Sequence, residues 1–152
     1  MDLFVPDPTD RDARYALEID SLLVAVFRRA EGLRSEREIV QIRQGGSHIV
    51  LHRMGPFAKG CFALEEGESD SDELYGWWQR AREAEYLVSG RKTGCVFYVD
   101  GHGRERMRWR FRLGQIIEWE GEPPSHWGEP YEIERLVIAH EGLEPLPPRD
   151  PD

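Results

Sequence analysis

Histidine, cysteine, carboxylate and arginine side chains carry the chemistry open to this chain, and their spacing limits it. His48 and His52 stand four apart, which joins two zinc ligands only on a helix. Gly45-Gly46 before them and Gly55-Pro56 after them argue against a helix, so no zinc site is expected. His140-Glu141 opens like a zincin motif, but Glu144 stands where the second histidine belongs. His102 falls in a turn and reads as solvated. Cys61 and Cys95 are too few for a disulfide framework; in strand-like apolar stretches they read as buried free thiols of a reducing compartment. Glu65, Glu66, Glu68, Asp70, Asp72 and Glu73 form an acidic stretch without the alternating ligands and central glycine of a calcium loop. It reads as a solvated loop feeding negative charge into a helix N-terminus. There is no Walker loop, no G-x-G-x-x-G and no nucleophile elbow. No catalytic residue, metal or cofactor is therefore expected.

One feature resists a bland account. Arg104, Arg106, Arg108, Arg110 and Arg112 alternate with Met107, Trp109, Phe111 and Leu113. On a strand this puts a row of cations on one face and an apolar row on the other. Like charges on one face repel, so carboxylates, a partner or water must relieve them. Glu36, Glu38, Glu132 and Glu134 are candidates, in the same subunit or the next. Inter-subunit charge contacts are accordingly expected to centre on Arg106, Arg108 and Arg110.

These residues need strands to position them. Arg14 to Asp20, Leu23 to Ala30, Leu33 to Arg43, Ile49 to Leu51 and Phe57 to Glu65 carry alternating or β-branched patterns, with Gln44-Gly45-Gly46-Ser47 and Gly55-Pro56 as breaks. One helix follows. Asp70 with Glu73 fits a capping box, and Leu74, Trp77, Trp78, Ala81 and Ala84 share a helical face, which makes the tryptophan pair core rather than a stacking platform. Ser89-Gly90 ends it. Gly94 to Val99, the hairpin signal Asp100-Gly101, Arg104 to Leu113, Gln115 to Glu120 after a kink at Gly114, and Tyr131 to His140 complete the pattern. One helix among seven or eight strands in hairpin order is an antiparallel barrel or sandwich with a flanking helix.

The chain of 152 residues allows one domain. Residues 1–12 read as an N-terminal arm, 13–144 as the folded domain and 145–152 as a Pro-rich tail. A hydrophobic fraction of 39% excludes wholesale disorder, and a net charge of −9 argues against a protein that neutralises phosphates over its whole surface. No apolar run reaches membrane-spanning length, and the N-terminus lacks the pattern of a secretory signal. Two binding classes compete with an assembly role. One is a small-molecule or carbohydrate-binding barrel with a site lined by Tyr98, Trp109 and Phe111. The other is an RNA-binding sheet using the arginine row, disfavoured by the net charge.

The order of pieces carries further information. Arg-Tyr-Ala-Leu-Glu-Ile-Asp (14–20), Phe-Arg-Arg-Ala-Glu-Gly-Leu (27–33), Gln-Ile-Arg-Gln-Gly-Gly (41–46), Lys-Gly-Cys-Phe-Ala-Leu-Glu-Glu-Gly (59–67), Asp-Ser-Asp-Glu-Leu-Tyr-Gly-Trp-Trp (70–78) and Glu-Arg-Leu-Val-Ile-Ala-His-Glu-Gly-Leu-Glu (134–144) follow one another. This order resembles the phage tail tube protein family of contractile tails and phage tail-like injection systems. The resemblance implies a mainly β barrel with one flanking helix, and hexameric rings stacking into a hollow conduit for DNA or protein cargo. The implied partners are further copies of the chain, a contractile sheath, and baseplate or tube-initiator proteins. No membrane insertion, enzymatic activity or cofactor is implied. The chain would be made in the cytoplasm and end in a virion tail or phage tail-like particle. The excursion Gln44 to Phe57 would reach an adjacent ring, with Gly45, Gly46, His48, Ile49, Val50, Leu51 and Phe57 as contact residues. Glu65 and Glu66 stand where the family usually carries basic residues, which leaves room for a specialised first-ring paralogue.

Overall fold

The computed structural model describes residues 9–34, 37–43, 50–83 and 90–149, with the backbone alone for residues 38–43 and 50–53. Nine strands and one helix occur among them: β1 (Arg14–Ile19), β2 (Leu22–Glu31), β3 (Arg37–Arg43), β4 (Val50–Phe57), β5 (Gly60–Ser69), α1 (Asp72–Glu83), β6 (Lys92–Val99), β7 (Glu105–Glu120), β8 (Tyr131–His140) and β9 (Leu143–Leu146). The strands β6, β1, β2, β5, β8 and β7 are neighbours in that order, and β6 also pairs with β7. The sheet thus closes into a six-stranded antiparallel barrel within one chain. The mainly β fold with a flanking helix is as expected.

Local chemistry explains the connections. Asp20 and Ser21 both have positive φ (51° and 66°), the two-residue turn whose twist matches a hairpin, and it joins β1 to β2. The hairpin signalled by Asp100-Gly101 joins β6 to β7. Gly103 N–H donates to the Asp100 carbonyl (3.0 Å), and Gly103 then takes φ 80°, a three-residue connection ending on a left-handed glycine. The Asp100 carboxylate accepts the N–H groups of Arg104 (3.0 Å) and His102 (2.9 Å). The Arg104 bond is the main reason its pKa lies below the ordinary carboxylate value. Asp10 accepts the Gly101 N–H (2.8 Å), so the end of the expected arm is tied to this turn. His102 is exposed, as expected of a turn imidazole.

The helix is capped one residue later than the capping-box reading. Ser71 Oγ accepts the Leu74 N–H (3.2 Å), and Asp72 and Glu73 occupy the first turn, where the helix dipole favours them. The helix packs on β7. Leu74 and Trp77 are fully buried, and the Trp119 ring lies among Tyr75, Trp78 and Tyr131 at centroid distances of 5.6, 6.4 and 6.1 Å. The acidic stretch before it is not a loop: Glu65, Glu66 and Glu68 belong to β5.

The barrel interior is filled by side chains. Tyr98, Trp109 and Phe111, the lining of the alternative ligand-binding reading, belong to one core with Phe27, Leu64 and Ile138. Each such buried side chain contributes about 1.5–3 kcal/mol of transfer free energy. Cys61, read as buried, is exposed on β5, and Cys95 on β6 is only half-buried; both are free thiols.

The C-terminal segment also differs from the expected tail. Along β7, Gln115 is opposite Ala139 and Phe111 is opposite Leu143, so β8 and β9 keep one register on either side of Glu141-Gly142. Arg112 bridges the gap by donating to the Gly142 carbonyl (3.0 Å) and accepting from the Glu141 N–H (2.9 Å). Pro145 fits because β9 pairs with β7 alone, and an edge strand tolerates a missing N–H.

Candidate assembly surfaces

Three surfaces carry exposed strand edges or clustered charge: the β3–β4 hairpin, the arginine-bearing half of β7, and a charged waist on the barrel exterior.

β3 and β4 form a separate two-stranded sheet inserted between β2 and β5. The strand β4 runs through Gly55-Pro56, which was expected to break it; Pro56 sits beside the register shift near Arg37, where a missing N–H is tolerated. Arg37 Nε donates to the Gly55 carbonyl (3.0 Å), and its guanidinium lies 5.6 Å from the centre of the Phe57 ring. At the hairpin base, a Cβ placed on Gly142 would stand 3.2 Å from the Phe57 carbonyl oxygen. Phe57 therefore meets the β8–β9 junction. Val50 and Leu51 lie on the β4 backbone. Gly45, Gly46, His48 and Ile49 lie outside the described residues, as does Glu36.

The arginine row is not one solvent-facing row. Val99 is opposite Glu105 and Phe97 is opposite Arg108, so β7 holds one extra residue between these pairs. The extra residue moves Glu105 onto the face of Arg108. Arg108 is only 6% exposed, and its Nη2 lies 2.8 Å from Glu105 Oε1 and its Nη1 3.6 Å from Glu18 Oε1. Its guanidinium sits 4.6 Å from the centre of the Phe97 ring, a favourable cation–π position. Arg149 reaches the same ring at 5.3 Å and contacts Glu105 and Glu18. Burial would raise the Glu105 pKa, but the Arg108 hydrogen bond, the Arg149 N–H and both positive charges outweigh it and hold the carboxylate low.

The other members meet different carboxylates. Arg106 lies 3.6 Å from Asp100, and Arg110 lies 3.6 Å from Glu144. Glu132 and Glu134 are on β8, which pairs with the other half of β7, and Glu38 is on β3. Within one subunit Glu132 and Glu134 are therefore not brought to the arginines. Sequence reasoning missed Glu105, Glu18 and Arg149. The extra residue in β7 and the return of residues 147–149 over β6 leave no periodic signal.

The third surface lies where alternation slips on three neighbouring strands. Arg28 and Arg29 on β2 are consecutive exposed residues, and Glu65-Glu66 on β5 and Glu134-Arg135 on β8 are consecutive exposed or half-exposed ones. Glu66 takes φ 54° within the strand, which bends it and leaves the register intact. Gly67 beside it has no room for a side chain: a Cβ there would stand 2.2 Å from the Phe27 ring. Arg29 pairs with Glu66 (3.2 Å) and Glu65 (3.5 Å), and Arg135 with Glu65 (3.4 Å) and Glu118 (3.6 Å). Glu68 is directly opposite Glu132.

His140 is a buried histidine with a structural partner. Its Nδ1 accepts the Gly142 N–H (3.1 Å), and its ring stacks on Phe62 at 5.9 Å. Burial lowers its pKa below the ordinary value, and the Glu141 charge only partly opposes this. Among the described residues no group of three potential metal ligands occurs, and no helix is long and apolar enough to cross a membrane.

Proteins of known structure share this fold. A chain of the sheath–tube complex of an extracellular contractile injection system (PVC, extended state) matches with a TM-score of 0.54 at 11% identity, covering 93% of this chain and 92% of that one. A chain of the anti-feeding prophage tube-terminating cap matches with a TM-score of 0.54 at 12% identity, covering 97% and 95%. A chain of the anti-feeding prophage baseplate matches with a TM-score of 0.52 at 16% identity, covering 95% and 98%. At these identities the likeness concerns the fold. No curated protein matches the chain. The model of one family, described as T4-like virus tail tube protein gp19, matches residues 11–144. Spanning nearly all of the barrel, this match establishes that the chain belongs to the T4-like tail tube protein family.

Proposed function

We propose that six copies of this chain close into a ring and that rings stack into the hollow inner tube of a contractile tail or tail-like injection particle. The observation that carries this reading is the family match over residues 11–144. The fold supports it. The barrel is closed within the chain, while the β3–β4 hairpin stands as a sheet of its own. Such a hairpin leaves outer strand edges for contact with a neighbouring copy. We assign the segment 44–57, with Ile49, Val50, Leu51 and Phe57, to contact between stacked rings. The role is structural rather than catalytic, with a sheath and a baseplate as partners and DNA or protein as cargo.

Native mass spectrometry and negative-stain imaging of the purified chain, with and without a baseplate preparation, test this. Rings of six and tubes are expected. Replacing Ile49 and Leu51 with Ser should preserve the fold and shorten the tubes. A strictly monomeric chain under every condition would remove the tube reading.

A further inference from the structure

The β7–β8 loop presents Trp127 at 66% exposure. The loop is held in place: Gly128 N–H donates to Asp72 Oδ1 (2.8 Å), and Glu129 N–H donates to the His126 carbonyl (3.3 Å). Pro130 joins this loop to a shallow groove formed by Leu23 and Val26, and Leu22 and Leu23 are 56% and 60% exposed. The charges around these apolar groups are negative, with Glu122 and Glu129 on the loop and Asp70 and Glu68 beside the groove. A fixed, exposed tryptophan on a loop that carries carboxylates is the composition of a contact anchor.

The opposite composition occurs on β7. Leu113 bulges from β7 with φ 49° and is 48% exposed. Arg110 and Arg112 are exposed next to it, and Lys92 is opposite Gly114. From Leu113 to Glu120, where the Trp127 loop begins, is about 23 Å of extended strand. The two surfaces are thus separate, each apolar at its centre and of opposite charge at its rim. Arg110 and Lys92 have partners in their own chain, Glu144 (3.6 Å) and Asp20 (3.4 Å). Exposed pairs of this kind contribute little and exchange readily for better ones.

We propose that the Trp127 loop of one copy docks on the Leu113 bulge of a second copy, with Glu122 and Glu129 meeting Arg110 and Arg112. The contact rests on the tube reading and gives it a head-to-tail interface. Two acidic surfaces of a chain with net charge −9 would repel each other, whereas the head-to-tail arrangement matches acid to base.

Sedimentation velocity and negative-stain imaging of the full chain test the contact, with thermal unfolding as the control for folding. Trp127→Ala should unfold like the wild type and weaken association at least tenfold. The pairs Glu122→Arg with Glu129→Arg, and Arg110→Glu with Arg112→Glu, should each block assembly alone and restore it when the two proteins are mixed. Leu113→Cys with Trp127→Cys, in a chain also carrying Cys61→Ser and Cys95→Ser, should cross-link neighbouring copies. Wild-type-like assembly of Trp127→Ala, or folded charge variants that do not recover on mixing, overturns this contact and leaves the tube reading standing. A wild-type chain that never associates overturns both.

Discussion

Arg108 and Glu105 form a charge pair at 2.8 Å from positions three apart on one strand. In a regular strand such residues face opposite ways. Here the extra residue of β7 puts them on one face, and Arg149 and Phe97 close over them. The arginine that alternation placed on an open face for a neighbouring subunit is therefore committed inside its own.

Removing one partner from an enclosed pair costs more than never having had the pair, because the other charge stays desolvated. Arg108→Met should lower stability by about 1–3 kcal/mol, because Arg149 still faces Glu105 and Glu18. Adding Glu105→Leu should recover most of that. Urea unfolding midpoints of the two variants and the wild type make the comparison, and equal losses in both would show that packing rather than charge dominates.

The pH dependence has two windows. His140 has a folded pKa below its ordinary 6.5 because it is buried. As pH falls past about 6.5 the unfolded chain takes up a proton that the folded chain refuses, so stability drops until the folded value is reached. Glu105 is held below its ordinary 4.5. Its stabilisation is present above that value and is lost as pH falls through the folded pKa. Unfolding midpoints between pH 8 and pH 5 should fall in the wild type. They should be flatter in His140→Gln, whose amide oxygen can still accept the Gly142 N–H.

Glycine substitutions should split by site. Gly76 is inside α1, and a Cβ there would meet only the flexible end of Arg80, at 3.3 Å. Gly76→Ala should raise stability by roughly 0.5–1 kcal/mol. Gly67→Ala drives a methyl into the Phe27 ring and should cost about 1–3 kcal/mol, partly recovered by Phe27→Leu. Thermal melts of the three variants rank them.

The sequence is legible where one local rule governs. Leu74, Trp77 and Trp78 at helical spacing identified α1, and Tyr15, Leu17 and Ile19 identified β1. The rule fails where strands bend. Glu65-Glu66 looks like loop polarity in a sequence, yet it lies with Arg28-Arg29 and Glu134-Arg135 at a shared bend of three paired strands. Pro145 and Gly55-Pro56 look like breakers, yet β9 pairs on one side only, and β4 meets its partner there at a register shift. Partners such as Arg149 and Glu105 are brought together by tertiary closure, which periodicity does not encode.

That closure depends on the C-terminal segment. Residues 143–149 do two things: Leu143 fills the core at 1% exposure, and Arg149 covers the Arg108–Glu105 pair. Deleting residues 143–152 should strip the edge of β7 between Arg108 and Phe111 as well as the core contact. An uncovered edge invites pairing with other chains. Deleting residues 150–152 leaves both contacts in place. The short deletion should melt like the wild type and remain dispersed, whereas the long one should melt lower and aggregate on dilution from urea. Leu143→Ala separates the two effects, because it keeps the strand paired while costing about 2–5 kcal/mol. Should Leu143→Ala aggregate as strongly as the long deletion, lost core packing rather than the bare strand edge would be responsible.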